Sequence, residues 1–146
     1  MAGDRENAFA LRGRIAHFLG DPGMSPENLV HFEDGVLVVE DGKILLCDDA
    51  RSLAGAGFDL AQCEWLPNQL ILPGFIDTHV HSPQIDVIAS YGTQLLDWLN
   101  DYTFPAESRY AERSFAEASA NDFLDYTLSV GTTTSFVYTT SYKQST

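Results

Sequence analysis

Two histidines two residues apart, His79 and His81, are the part of this sequence best equipped for chemistry. They close the stretch Pro73-Gly74-Phe75-Ile76-Asp77-Thr78-His79-Val80-His81, whose apolar opening reads as a β-strand. Side chains at i and i+2 of a strand leave the same face, with α-carbons roughly 6.6 Å apart. Two imidazoles so placed can converge on one metal ion at ~2.0–2.1 Å. Asp77 falls on that face by the same alternation, where it either orients an imidazole or packs inside the sheet. An isolated His-x-His is more often ordinary packing than a metal site. Here, however, both histidines stand at the carboxyl end of an apolar strand, where ligand-binding residues gather when the sheet is parallel. Imidazole suits zinc, iron and copper alike, so the donors alone leave the metal open.

The elements that must position this pair fall into two halves. Up to about residue 69 the sequence reads as short strands and turns. Phe9–Phe18 is a strand candidate, and Gly20-Asp21-Pro22-Gly23 with Ser25-Pro26 forms a loop. Val36–Val39 and Ile44–Cys47 flank Asp41-Gly42, a hairpin signal because both turn positions need positive φ. Ala54–Gly57 reads as a small-residue loop, and Trp65-Leu66 begins another short strand before Pro67-Asn68. From residue 70 the pattern changes. Leu70–Ile76 is a continuous apolar run, as in one strand buried on both faces. Gln94–Asn100 predicts a short helix. From Glu112 onward, Phe115, Ala118, Phe123, Tyr126, Leu128 and Val130 suggest one helical face. Gly131 then stands as a left-handed terminator, and Thr132–Thr140 reads as a strand. Strand, helix, glycine and strand make one βαβ crossover and favour a parallel pair.

Composition excludes several classes of function. The 146 residues carry 8 Lys and Arg against 21 Asp and Glu, a formal net charge of −13. A nucleic-acid backbone or an anionic membrane would repel such a surface, and plain solubility accounts for most of the charge. No stretch approaches the ~20 apolar residues of a membrane span, and no apolar signal core follows Met1. Cys47 and Cys63 form neither a CxxC pair nor a disulfide framework and read as core filler in a reduced, cytoplasmic setting.

The strand Pro73–His81 resembles the first metal-binding strand of the amidohydrolase superfamily, metal-dependent hydrolases built on (β/α)8 barrels. The segment Glu33–Ile44 resembles the small β-sandwich domain that precedes that barrel. Ser82-Pro83-Gln84, Tyr91-Gly92, Leu95–Asn100, Tyr102–Glu107 and Gly131–Thr134 are similar to the guanine deaminase family within it. The resemblance implies an α/β chain: residues 1–69 as part of the sandwich, and residues 70–146 as the first βαβ unit of an incomplete TIM-like barrel. It implies that His79 and His81 bind one Zn2+, and that His81, Ser82, Pro83 and Gln84 line the pocket for guanine. Gln84 is the best candidate for a purine contact, because an amide both donates and accepts. Trp98 and Leu95 are candidate pocket walls, although their spacing suits the core equally. Phe104-Pro105-Ala106-Glu107 would fix a loop and cap the next helix.

The implied reaction is guanine plus water to xanthine plus ammonia, with a water activated at zinc and a carboxylate as proton shuttle. The alternative deaminase chemistry of His-x-Glu with Pro-Cys-x-x-Cys is excluded by the cysteine pattern. Two imidazoles leave zinc under-coordinated, and the only other histidines, His17 and His31, lie in the β-rich half. The further ligands and the proton shuttle are therefore expected beyond Thr146. A closed barrel takes roughly 250 residues, so the chain reads as an amino-terminal part: a truncated product, a fragment or one half of a split protein, inactive alone. The full-length enzyme would be a homodimer. Tyr142 departs from the family, whose members often carry a histidine there; this touches fine substrate contacts only. Two alternatives stand beside this reading: a related aminohydrolase of another purine, pyrimidine or triazine ring, and a non-catalytic association module. In a third, complementation, a second chain supplies the remaining ligands.

Overall fold

The Asp41-Gly42 dipeptide takes positive φ at both positions, 50° and 72°, and turns the chain between two strands as the hairpin signal predicts. The computed structural model describes residues 8–145. It is a mixed α/β fold that divides into two units, Met1–Pro73 and Gly74–Thr146. In the first, β1 (Ala8–Phe18), β2 (Leu29–Glu40), β3 (Lys43–Asp49) and β4 (Glu64–Ile71) form one sheet in the order β3-β2-β1-β4. The β1–β2 and β2–β3 pairs are antiparallel, and β1–β4 is parallel. Ile15 and Val36 are buried where β1 meets β2, and Ala50 joins them. Residues Ala54 and Gly55 belong not to a loop but to the end of a short helix, α1 (Ala50–Gly55). The carboxylate of Asp49 starts it by accepting from the Ser52 N–H at 3.0 Å. Pro67 sits within β4, where the register with β1 jumps between Leu66 and Leu70. An edge strand with such an irregularity tolerates a residue that has no N–H to donate.

Arg12 and Asp34 form a two-pronged ion pair across this sheet. Nε donates to Oδ1 at 2.8 Å and the terminal nitrogen to Oδ2 at 2.7 Å. The guanidinium also lies over the Trp65 ring, 4.8 Å from its centroid. The hydrogen bonds from Arg12 hold the Asp34 carboxyl below the usual aspartate range. Burial pushes the Cys47 and Cys63 thiols up, which suits packing rather than reactivity.

The apolar run Leu70–Ile76 is not one strand. β4 ends at Ile71, Pro73 and Gly74 break the ladder, and β5 (Phe75–His81) begins a separate two-stranded sheet. Its partner is β6 (Thr132–Tyr138), and the pair is parallel, as the βαβ pattern predicts. The crossover carries α2 (Leu95–Trp98), a π-turn (Leu99–Thr103), α3 (Phe104–Ser108) and α4 (Arg113–Ser129). Phe104–Glu107 is thus helical rather than a loop, with Pro105 in the first turn, where a missing N–H costs nothing. The next helix, α4, has Glu112 rather than Glu107 at its N-cap position. Gly131 ends the crossover with φ 85°; its N–H reaches the Leu128 carbonyl at 3.0 Å, and its own carbonyl receives the Phe75 N–H at 2.8 Å.

The buried stripe of α4 differs from the predicted face. Ala116, Ser119 and Phe123 are buried, whereas Tyr126, Leu128 and Val130 are more than half exposed. The small residues at i and i+3, Ala116 and Ser119, allow close approach, and the Ser119 hydroxyl is paired with the Tyr110 hydroxyl. On the strands Ile76 and Phe136 are exposed, at 70% and 62%. Among the described residues no helix is long and apolar enough to cross a membrane.

Two outcomes test this architecture. The Asp34 carboxyl is depressed in the folded state, so its contribution is present above the ordinary aspartate pKa and is lost as pH falls through the folded value. Both partners are partly solvated, which limits the pair to at most about 1 kcal/mol. Urea midpoints of wild type and Asp34→Asn should therefore differ at pH 7 and converge as pH falls below the ordinary aspartate range. At the start of β5, a Cβ on Gly74 would stand 2.7 Å from the Thr133 Cβ and closer still to its Oγ1. Gly74→Ala should lower unfolding free energy by about 1–3 kcal/mol in denaturant titrations.

Candidate metal centre

The last residues of β5 carry the imidazole pair. Nε2 of His79 and Nε2 of His81 lie 3.2 Å apart, with ring centroids separated by 5.2 Å. The two side chains thus point their distal nitrogens at a common position. The strand reaches this geometry through an irregularity: Asp77 is registered with Ser135, but Val80 with Val137, so β5 holds one residue more than β6 over this interval. Asp77 lines the same cavity as the two histidines across this slip. Asp77 Oδ1 accepts from the His79 main-chain N–H at 3.0 Å. It therefore holds the backbone of the histidine strand rather than a ring.

A cavity of about 520 Å³ opens beside the pair, within the range of small-molecule pockets. His79, His81, Asp77, Gln84 and Trp98 all line it. Gln84 is carried by a 3-10 turn, Ser82–Val87, that follows β5 directly. This turn is held at both ends from one short segment. Tyr110, buried at 4% exposure, reaches the Ser82 carbonyl with its hydroxyl at 3.4 Å, and Arg109 pairs with the Asp86 carboxylate at 2.8 Å. Burial pushes the Tyr110 hydroxyl pKa up, so it stays a neutral donor. Trp98 is tied to the far end of the turn: its Nε1–H donates to Ser90 Oγ at 2.8 Å, and Ser90 Oγ donates to the Val87 carbonyl at 2.8 Å.

Of the residues singled out in the sequence, His79, His81, Gln84, Asp77 and Trp98 meet at one cavity. Three others do not. Pro83 is fully buried, Ser82 lines a different cavity together with Tyr110, and Leu95 is 70% exposed. Among the described residues, no third His, Cys, Asp or Glu joins the imidazoles in a metal-holding group. One neighbour was missed by sequence reasoning. Tyr138, registered with His81 across the parallel pair, places its ring against both imidazoles. Its position at the end of β6, level with the histidines at the end of β5, is the only sequence signal that could have pointed to it.

The arrangement has counterparts among known proteins. Residues 70–144 match the amidohydrolase family. Guanine deaminase of Escherichia coli strain K12 is 34% identical over 139 residues, 93% of this chain and 32% of that protein. Guanine deaminase of Dictyostelium discoideum is 43% identical over 141 residues, 89% of this chain and 31% of that protein. The crystal structure of guanine deaminase from Bradyrhizobium japonicum superposes with a TM-score of 0.84 at 34% identity, covering 95% of this chain and 31% of that one. This chain therefore spans about a third of the length of the relatives it matches. With the family match covering just over half of its residues, the chain belongs to the amidohydrolase family.

Proposed function

We propose that this chain is the amino-terminal part of a zinc-dependent guanine deaminase, which converts guanine and water to xanthine and ammonia. The observation that carries the reading is the 3.2 Å approach of the His79 and His81 Nε2 atoms at the end of β5. Two nitrogens bound to one tetrahedral zinc at ~2.0–2.1 Å lie about 3.3–3.4 Å apart, so the pair suits that ion. The guanine deaminases similar to this chain support the substrate, and the C. acetobutylicum structure, similar at TM-score 0.76 and 26% identity, holds guanine in its active site.

In this reading His79 and His81 would hold the zinc, which when bound supplies a Lewis acid and a water acidified toward neutrality. The Gln84 amide would read the edge of the purine, donating and accepting at once. His81 would bound the same pocket, with the Trp98 indole as a wall. Ser82 and Pro83 would act from behind, by fixing the turn that presents Gln84. Asp77 would keep the main chain of His79 in place. Residues 1–69 would belong to a small β-sandwich domain, and residues 70–146 would open a (β/α)8 barrel, with the parallel β5–β6 pair as its first two strands. The remaining ligands and the proton shuttle would come from later strands. The same reading carries a cytoplasmic location and a homodimer at full family length.

A chimera tests this directly. Residues 8–145 would replace the matching segment of the E. coli enzyme, and ammonia release from guanine, 8-oxoguanine and cytosine would be measured. Guanine should be the preferred substrate. His79→Ala or His81→Ala should lower kcat/KM by more than about a hundredfold, since losing even the outer partners of metal ligands costs 10–100-fold. Gln84→Leu should act chiefly on KM for guanine. Turnover of another ring in preference to guanine would overturn the substrate assignment. A folded chimera whose activity survives both histidine substitutions would overturn the metal assignment.

A further inference from the structure

We propose that Tyr138 is a positioning residue that holds the two imidazoles converged by stacking against them. Its purpose rests on the metal reading above, while its geometry stands on the strand register alone. Parallel pairing sets Tyr138 directly beside His81, and neighbouring strands lie ~4.8 Å apart, the distance at which flat rings on one face meet. The Tyr138 and His81 centroids are 5.0 Å apart with planes 19° from parallel, an offset stack. His79 approaches the same tyrosine at 4.5 Å and 36°. Phe136 braces Tyr138 from two residues back along β6, at 5.3 Å and 65°. Four rings thus form a chain that ends on the two ligand nitrogens.

Tyr138 is 41% exposed in this chain, which spans about a third of the length of its relatives. The ring contacts around it run to the imidazoles and to Phe136. His79 is itself exposed and would otherwise sample several rotamers, each movement carrying Nε2 away from the shared position. A ring in contact with both histidines restricts them together. The contact is made by the aromatic face, so the phenol hydroxyl is dispensable for it.

The test uses the chimera described above, in which the E. coli enzyme supplies the remaining strands, with zinc alone, followed through the imidazole carbon-bound proton resonances of His79 and His81. These should show ring-current shifts before zinc is added, and should respond to zinc. Tyr138→Phe should keep both the shifts and the zinc affinity. Tyr138→Leu should lose the shifts and weaken zinc roughly tenfold, with circular dichroism unchanged. Tyr138→Met provides a second non-aromatic variant should leucine impair folding. Wild-type affinity in both non-aromatic variants would overturn the proposal and leave the metal reading intact. A Tyr138→Phe variant as weak as Tyr138→Leu would also overturn it, by assigning the effect to the hydroxyl. Zinc that leaves the His79 and His81 resonances of the wild type unmoved would overturn the metal reading itself, and the proposal with it.

Discussion

Parallel strands cannot be joined by a tight turn, and this constraint governs the second unit. The chain leaves β5 at His81 and must travel the length of the sheet before it can re-enter beside its own start at Thr132. Gln84, Trp98 and the supports of the Ser82–Val87 turn are all built from that obligatory excursion. The Phe75 N–H bonded to the Gly131 carbonyl closes the circuit at one end, and the register of His81 with Tyr138 closes it at the other. The side chains at the exit of β5 therefore face residues that are remote in sequence yet adjacent by main-chain geometry.

The excursion also shows how a short turn acquires a fixed shape. Ser82–Val87 is too brief to be stable through its own hydrogen bonds. It is held instead from Arg109 and Tyr110, which grip opposite ends of it, while Phe115 lies beneath both: the guanidinium carbon is 4.0 Å from its ring centroid, and the Tyr110 ring meets it edge-on at 5.1 Å. The Tyr110–Ser119 contact passes that order into the buried stripe of α4. Gln84 is thus presented by a support that lies mostly outside the cavity it faces.

What the sequence made legible and what it did not divide along a physical line. The His79–His81 pair could be read because the strand period and apolar pattern are local properties. The Asp41-Gly42 hairpin and the Gly131 terminator were legible for the same reason, each a backbone demand met by one or two residues. The break at Pro73-Gly74 was hidden by the hydrophobicity on either side of it. The α4 stripe was missed because apolar size was taken as the sign of burial, whereas Ala116 and Ser119 are buried for being small. Ser82 and Pro83 look like pocket residues by proximity to Gln84, but the direction of a 3-10 turn is set by what grips it. Tyr138 depends on a register between strands some fifty residues apart, which no local pattern encodes.

The extra residue in β5 carries a further implication. By occupying the His79 amide, the Asp77 carboxylate compensates a donor that a regular ladder would have satisfied. A carboxylate so engaged is a poor competitor for a cation: turning toward one would strand the amide it now serves. An anionic group in this way sits two positions from a pair of imidazoles without joining them.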